Sequence, residues 1–524
     1  MLFAIAPAAV AQPVTVVVNS TSSAIDGNTA SIPSLIITPG FDNAISLMEA
    51  IAAANNTPGP KKIAFSPALR GKSIPFGSND LHDLGLFSLR SGDLTIDGDV
   101  DGDGSPDVTL DATGRDLATI HFRSSNIVIT NLIFREFAGQ ALNFACEDPA
   151  CAPRTISNVR IAHNVIESHR GGGVELGVWG LLGLGNAPLL SNFSYADITI
   201  DRNTIRGPVD PFSNAVGIRP CADGAYSNRA VGIFITNNVM TSTVAIDIGA
   251  ADEALPPNFS DHCLIDNLVI DGNMIEDSQT GIKLDASNLA NQHNTAQHLR
   301  ITNNRVLRNK AFGMLLGAAN LPLSARATSF NTMSDLLVAN NEVTGGFVGI
   351  TVSAGNWSLS EDAPTGVDDN TLSDTVVTGN FIHDYQNVGL AVWGGHANMS
   401  SGPHTASRNR VDGLLIAGNV FEGTAGRFNT GVEIVAGDSV GGRTAAGNSI
   451  SGVTIAGNTL RSNQVGFSLI GGRGTAATGN VLSIIAVSPN VFDGNARDVA
   501  TVVDAEGASN NRIEMISRRR PAIH

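Results

Sequence analysis

Leu268-Val-Ile-Asp-Gly-Asn273-Met-Ile275 decides the fold, because the chain keeps repeating it. The phrase is apolar-x-apolar-x-x-Asn-x-apolar. It returns as Val159-Arg-Ile-Ala-His-Asn164-Val-Ile166 and as Val453-Thr-Ile-Ala-Gly-Asn458-Thr-Leu460. Nine asparagines close it: Asn164, Asn203, Asn238, Asn273, Asn304, Asn341, Asn380, Asn419 and Asn458, at intervals of 31 to 39 residues. Self-similarity at this period marks a repeat architecture. Each phrase is too short for a helix and alternates as a strand does. A second short strand opening with Gly usually follows, as in Gly281-Ile-Lys-Leu284 and Gly431-Val-Glu-Ile434. One coil is therefore strand, Asn turn, strand, short turn, strand and a longer loop. That is a parallel β-solenoid, of about ten or eleven rungs by the count of repeats.

Successive rungs lie about 4.8 Å apart, so equivalent asparagines stack. A buried Asn offers two donors and two acceptors and can bond along such a column. It also tolerates the left-handed conformation a tight corner needs. These nine residues are read as scaffold.

Charged residues are only 15% of the 524, and there are 56 glycines, which argues against coiled coil and disorder. A net charge of −16 disfavours nonspecific nucleic-acid binding. No segment has the apolar length of a membrane helix. Residues 1–11 read as the remnant of a signal peptide, with Ala9-Val10-Ala11 as a cleavage pattern ahead of Gln12. Secretion to the periplasm, the cell surface or the medium is expected. The cysteines agree: Cys146 with Cys151 in one loop, and Cys221 with Cys263 in loops of adjacent rungs, are expected as two disulfides. Residues 12–115 are expected to hold an N-terminal cap and the first strands, 116–505 the β-helix, and 506–524 a C-terminal tail that contains the solvated basic run Ser517-Arg-Arg-Arg520. Within the cap, Phe41 to Asn55 has apolar residues at helical spacing, with Asp42 as its expected N-cap. Such a helix would cover the open solenoid end.

Ser46-Leu-Met-Glu-Ala-Ile51, Ile63-Ala-Phe65 and Leu94-Thr-Ile-Asp-Gly98 resemble the opening of a family of exported bacterial β-helix surface proteins. Met48 stands where that family usually has Arg, and Ile45 where it often has Cys. The rungs resemble the pectate-lyase-like superfamily. What the resemblance implies is an all-β, right-handed parallel β-helix with an N-terminal capping helix. It leaves function open, because the same coil carries lyases, hydrolases, epimerases and adhesins.

Asp99-Val-Asp101-Gly-Asp103-Gly-Ser-Pro-Asp107 alternates carboxylates around glycines. Hard oxygen ligands in that number suit Ca²⁺, so Asp99, Asp101, Asp103 and Asp107 are candidate calcium ligands. A polar turn is the other reading.

The Gly-led strands stack into one sheet whose middle residues point outward. That column reads Asn143, Glu175, Arg219, Asp247, Lys283, Leu315, Thr351, Ala391, Glu433, Ser468. Four successive charges, Glu175, Arg219, Asp247 and Lys283, form either a solubilising ladder or a site. The following loops hold Trp179, Tyr226, Trp357, Trp393, His396 and His404, aromatic groups suited to stacking on sugar rings. The expected partner is a polysaccharide. Two mechanisms fit the column. In β-elimination on an acidic polysaccharide, Lys283 would be the base and Arg219 the substrate clamp or the second candidate for the base, although Asp247 opposes Lys283 as base. In glycoside hydrolysis, Glu175 and Asp247 would be the paired carboxylates, two rungs apart, with Asp252 and Glu253 as alternatives. The clustered Asp and Gly-His-Gly signatures of polygalacturonases and the Asp-Pro-His signature of alginate epimerases are missing. A lyase is the leading expectation. A noncatalytic adhesin or a glycosidase is the alternative.

Overall fold

Three parallel sheets of 15, 13 and 13 strands wrap one apolar core. The computed structural model describes residues 12–77, 87–115, 118–137, 140–144, 155–167, 172–177, 191–207, 213–221, 224–251, 259–288, 291–319, 327–357, 366–397, 405–424, 427–439, 443–487 and 489–515. One coil shows the plan. Leu264–Asp271 lies in the first sheet, Met274–Glu276 in the second and Thr280–Asp285 in the third. Each strand pairs in parallel with its equivalent one coil on, as Leu268 with Leu299 and Ile270 with Ile301. The inward residues Ile265, Leu268, Ile270, Ile275, Ile282 and Leu284 are all buried. The coil is the right-handed parallel β-helix, the hand that a twisted parallel crossover favours. Eleven complete coils run from the strand Ile127–Thr130 to the strand Arg497–Ala505. Earlier strands, including Lys61–Phe65 and Leu94–Asp97, already belong to the same sheets.

The asparagines form a continuous hydrogen-bonded column. Asn304 donates from its backbone N–H and its Nδ2 to Asn341 Oδ1, at 2.9 and 3.0 Å, and from Nδ2 to the Ile270 carbonyl at 2.9 Å. All nine phrase asparagines make this triple contact, the last onto Asn490. The left-handed residue at this corner is not the asparagine but the one before it, as in His163, Arg202, Gly272 and Gly379. The asparagine stays in ordinary backbone conformation, and its side chain supplies the turn's missing donors and acceptors.

A second asparagine column lies at the corner that enters the first sheet. Asn294, Asn331, Asn370, Asn409, Asn448 and Asn480 repeat the triple contact and end on Asn511. Cys263 occupies the equivalent place one coil earlier, and its N–H donates to Asn294 Oδ1 at 2.9 Å. It is disulfide-bonded to Cys221, as the adjacent loops suggested. Cys146 and Cys151 lie outside the described residues.

The capping helix spans Leu47–Asn55. Ser46, not Asp42, is its N-cap. Ser46 Oγ accepts from the Glu49 N–H while the Glu49 carboxylate accepts from the Ser46 N–H, a reciprocal capping box. Asp42 instead accepts from Ala44 N–H, ahead of the helix. Glu49 also takes the N–H groups of Asp26 and Gly27. Burial pushes its carboxyl up, and these three N–H donors outweigh it and hold it below the usual range. No helix among the described residues is long and apolar enough to cross a membrane.

Candidate functional site

The outward face of the third sheet carries two charged clusters. In the first, strand register runs from Asn143 through Glu175, Gly217, Asp247, Lys283, Leu315, Thr351, Ala391 and Glu433 to Ser468. Gly217 takes the place expected for Arg219. The Gly217-Ile-Arg219 triplet mimics Gly281-Ile-Lys283, but Asn214 pairs with Val244 and Val244 with Thr280, which moves Arg219 two residues along its strand. From there its guanidinium reaches back over Gly217. It bonds Glu175 Oε1 at 2.9 Å and Asp247 Oδ2 at 2.6 Å. Lys283 Nζ continues the chain to Asp247 Oδ1 at 2.9 Å and Asp285 Oδ2 at 3.5 Å. The structure thus brings all four expected residues together, adds Asp285, and closes them into a ladder.

This ladder is buried. The side chains of Glu175, Arg219 and Asp247 are 1, 3 and 8% exposed, and that of Lys283 15%. Burial pushes the Asp247 carboxyl up, but Lys283 and Arg219 outweigh it and hold it at about 2. Lys283 Nζ donates to Asp247 Oδ1, the opposite of a base's role. Glu175 and Asp247 share one guanidinium rather than flanking an open bond. A Cβ on Gly217 would lie 2.1 Å from Glu175 Oε2. Gly217→Ala should therefore force the carboxylate off Arg219 and lower stability by about 1–3 kcal/mol in a denaturant titration; an unchanged midpoint would show that the close approach is relaxed in solution.

The second cluster lies further along the same face. Trp393 and His396 sit within the strand Val388–Ala397, not in the loop after it, because this strand runs ten residues and pairs Ser353 with Trp393 and Asn356 with His396. The indole and imidazole stack, with centroids 4.0 Å apart. Nδ1 of His396 faces Asn356 Oδ1 at 3.0 Å and Nε2 faces Asp438 Oδ2 at 3.3 Å. Arg473 bridges Asp438, at 2.6 and 3.1 Å, and Glu433, at 3.1 and 3.3 Å. Burial pushes the Asp438 carboxyl up, and His396 and Arg473 outweigh it, leaving it well below the usual carboxylate range. Trp393, His396, Glu433 and Arg473 line a cavity of about 180 Å³. Phe312, Phe347, Val348 and Val388 supply its apolar wall, and Asn356 and Asn387 its amides. Phe347 is half exposed at the rim.

Tyr226 is exposed at the corner leading into the strand Arg229–Thr236, not among the residues lining this cavity. Trp357 ends the strand Val348–Trp357, and its backbone pairs with Ala397. Trp179, His404, Asp252 and Glu253 lie outside the described residues. Sequence reasoning placed Glu433 in the column but missed Asp438 and Arg473. The signal was present, since Asn356, His396, Asp438 and Arg473 are register partners, but it required knowing that these strands extend past their apolar core.

In the acidic loop, carboxylate oxygens of Asp99, Asp101 and Asp107 lie within 4.8 Å of one another. Asp103 is not part of that group and accepts from Ser105 N–H. Arg70 pairs with Asp101 at 2.6 Å and Asp107 at 3.2 Å.

No protein-family model matches the chain, and no curated protein sequence matches it. Among solved structures it is similar to the Yersinia enterocolitica family 28 exopolygalacturonase, at 10% identity and TM-score 0.39, over 96% of this chain and 79% of that one. It is also similar to the A-module of the Azotobacter vinelandii mannuronan C-5 epimerase AlgE4, at 14% identity and TM-score 0.24, over 89 and 94%. A third likeness is to the Streptococcus pneumoniae surface protein and adhesin PfbA, at 12% identity and TM-score 0.28, over 74 and 91%. At these values none of them bears on what this chain does, and its fold rests on the strand register described above.

Proposed function

We propose that the protein engages a polysaccharide on the outward face of its third sheet, with sugar contact centred on Trp393, His396, Glu433 and Arg473. The observation that carries this reading is the cavity itself, where aromatic and aliphatic walls meet convergent amide, carboxylate and guanidinium groups. That combination suits sugars, which present both CH-rich faces and hydroxyl edges. The disulfide between Cys221 and Cys263 supports an oxidising compartment and hence export. Phe347→Ala alters an exposed rim residue and should fold normally. It should weaken glycan binding at least tenfold in affinity electrophoresis against a polysaccharide panel; unaltered retention would remove the cavity from the binding surface.

Cleavage by elimination is the second reading. It is favoured by Lys283, the most exposed of the ladder's ion-paired side chains, lying one rung from Asp247. Nζ would have to leave its carboxylates before accepting a proton. Wild-type protein would then release unsaturated, ultraviolet-absorbing ends from acidic polysaccharides, and Lys283→Ala would not. Absence of such ends across alginate, pectate and glycosaminoglycans would leave a binding protein of the adhesin kind. Hydrolysis by Glu175 and Asp247 is not supported, since Arg219 occupies the space between them.

Calcium remains a proposal for the acidic loop. Asp99, Asp101 and Asp107 present hard oxygens at one point, and an ion there would displace Arg70. Its role would be to fasten the loop that joins the strands Leu94–Asp97 and Val108–Asp111. Calcium should raise the melting temperature by several degrees over chelator-treated protein, and more so in Arg70→Ala. Equal melting curves would leave the loop as an Arg-paired turn.

A further inference from the structure

We infer that the cavity takes one uncharged pyranose unit and discriminates against uronates, an inference that rests on the polysaccharide reading above. The charged column alone pointed to an acidic substrate. The side chains around the cavity point the other way.

Arg473 is the guanidinium among the described lining residues; its side chain is 22% exposed, and four of its five N–H groups face carboxylate oxygens. Its contacts go to both oxygens of Glu433 and both oxygens of Asp438. Asp438 is wholly buried and also faces His396. Two carboxylates therefore oppose one guanidinium, and each group in the cluster that can carry positive charge already faces a carboxylate. An incoming uronate would meet Glu433 at close range. To gain a bidentate pair with Arg473 it would have to break a largely buried ion pair and leave a carboxylate unmatched, which is strongly unfavourable. The chain's charge of −16 adds long-range repulsion.

A neutral sugar meets none of this. Its hydroxyls can donate to Glu433, whose side chain keeps 12% exposure, and can bond the amide of Asn387. Its CH face has Phe347, Phe312 and Trp393 to lie against. The volume of about 180 Å³ suits a single ring, so the occupant would be a chain end or a branch rather than a threaded backbone.

The test uses the full protein and matched oligosaccharides that differ only in oxidation at C6, such as mannan against mannuronan and cellulose against its C6-oxidised glucuronan, measured by calorimetry at low and high salt. At least one neutral member should bind tenfold or more tightly than its uronate, with little dependence on salt. Glu433→Gln should narrow that gap by strengthening uronate binding. Equal or tighter binding of the uronate, or a gap that Glu433→Gln leaves untouched, would overturn the inference while the polysaccharide reading stands. No binding by any member, neutral or acidic, would sink both.

Discussion

Asp247→Ala is expected to cost the fold roughly 3–5 kcal/mol, because it leaves Arg219 and Lys283 buried without the carboxylate between them. Asp247→Asn should cost less, since the amide oxygen still accepts one bond. The measurement is the denaturant midpoint of each variant against wild type. Matching midpoints for Asp247→Ala and wild type would mean that the ladder is solvated and open, and would restore it as a candidate site. The same residue sets an acid limit. Its carboxyl, held at about 2, lies below the value of about 3.9 expected when unfolded. Its contribution is therefore complete above about pH 4 and is lost as the pH falls from about 4 to about 2. Asp247→Asn should flatten the acid-unfolding curve over that window, and an identical curve would assign the acid sensitivity elsewhere.

Asn304→Ala is expected to be comparably severe, at about 3–5 kcal/mol. Asn304 Oδ1 accepts from both the N–H and the Nδ2 of Asn273, at 3.0 Å each, so its removal orphans two buried donors. Each orphan costs about 1–3 kcal/mol. The bonds from Asn304 Nδ2 to Asn341 Oδ1 and to the Ile270 carbonyl are lost as well, while the backbone N–H keeps its bond to Asn341. Asn490→Ala is the control, because Asn490 is only partly buried at the last rung and should be tolerated better. Equal losses at the two positions would show that the column acts through turn geometry alone and not through its buried hydrogen bonds.

Much of the coil was legible because its signals are local and repeated. The alternation around Asn273 names the strand, its inward face and the corner at once. The second asparagine column was equally regular, ten residues ahead of most phrase asparagines, yet it escaped notice because no apolar residue sits in fixed register on both sides of it. The helix Leu47–Asn55 was visible from spacing, while its cap was misplaced because Ser46 and Glu49 act as a pair.

The candidate site was less legible for a different reason. Asn143, Glu175, Asp247 and Lys283 could be aligned because Gly-led triplets repeat, but the same triplet misaligned Arg219. Only paired strands showed that Gly217 holds the column and that Arg219 crosses it. His396, Asp438 and Arg473 are separated by about 40 residues at each step and share no motif.

By itself the sequence determined the coil, its period and its inward face, since each follows from side chains repeating along one chain. The tertiary structure alone decided which charges are paired and buried and which line a cavity. Those properties depend on the register between coils and on strand length beyond the core, and a two-residue shift in either exchanges a guanidinium for a glycine.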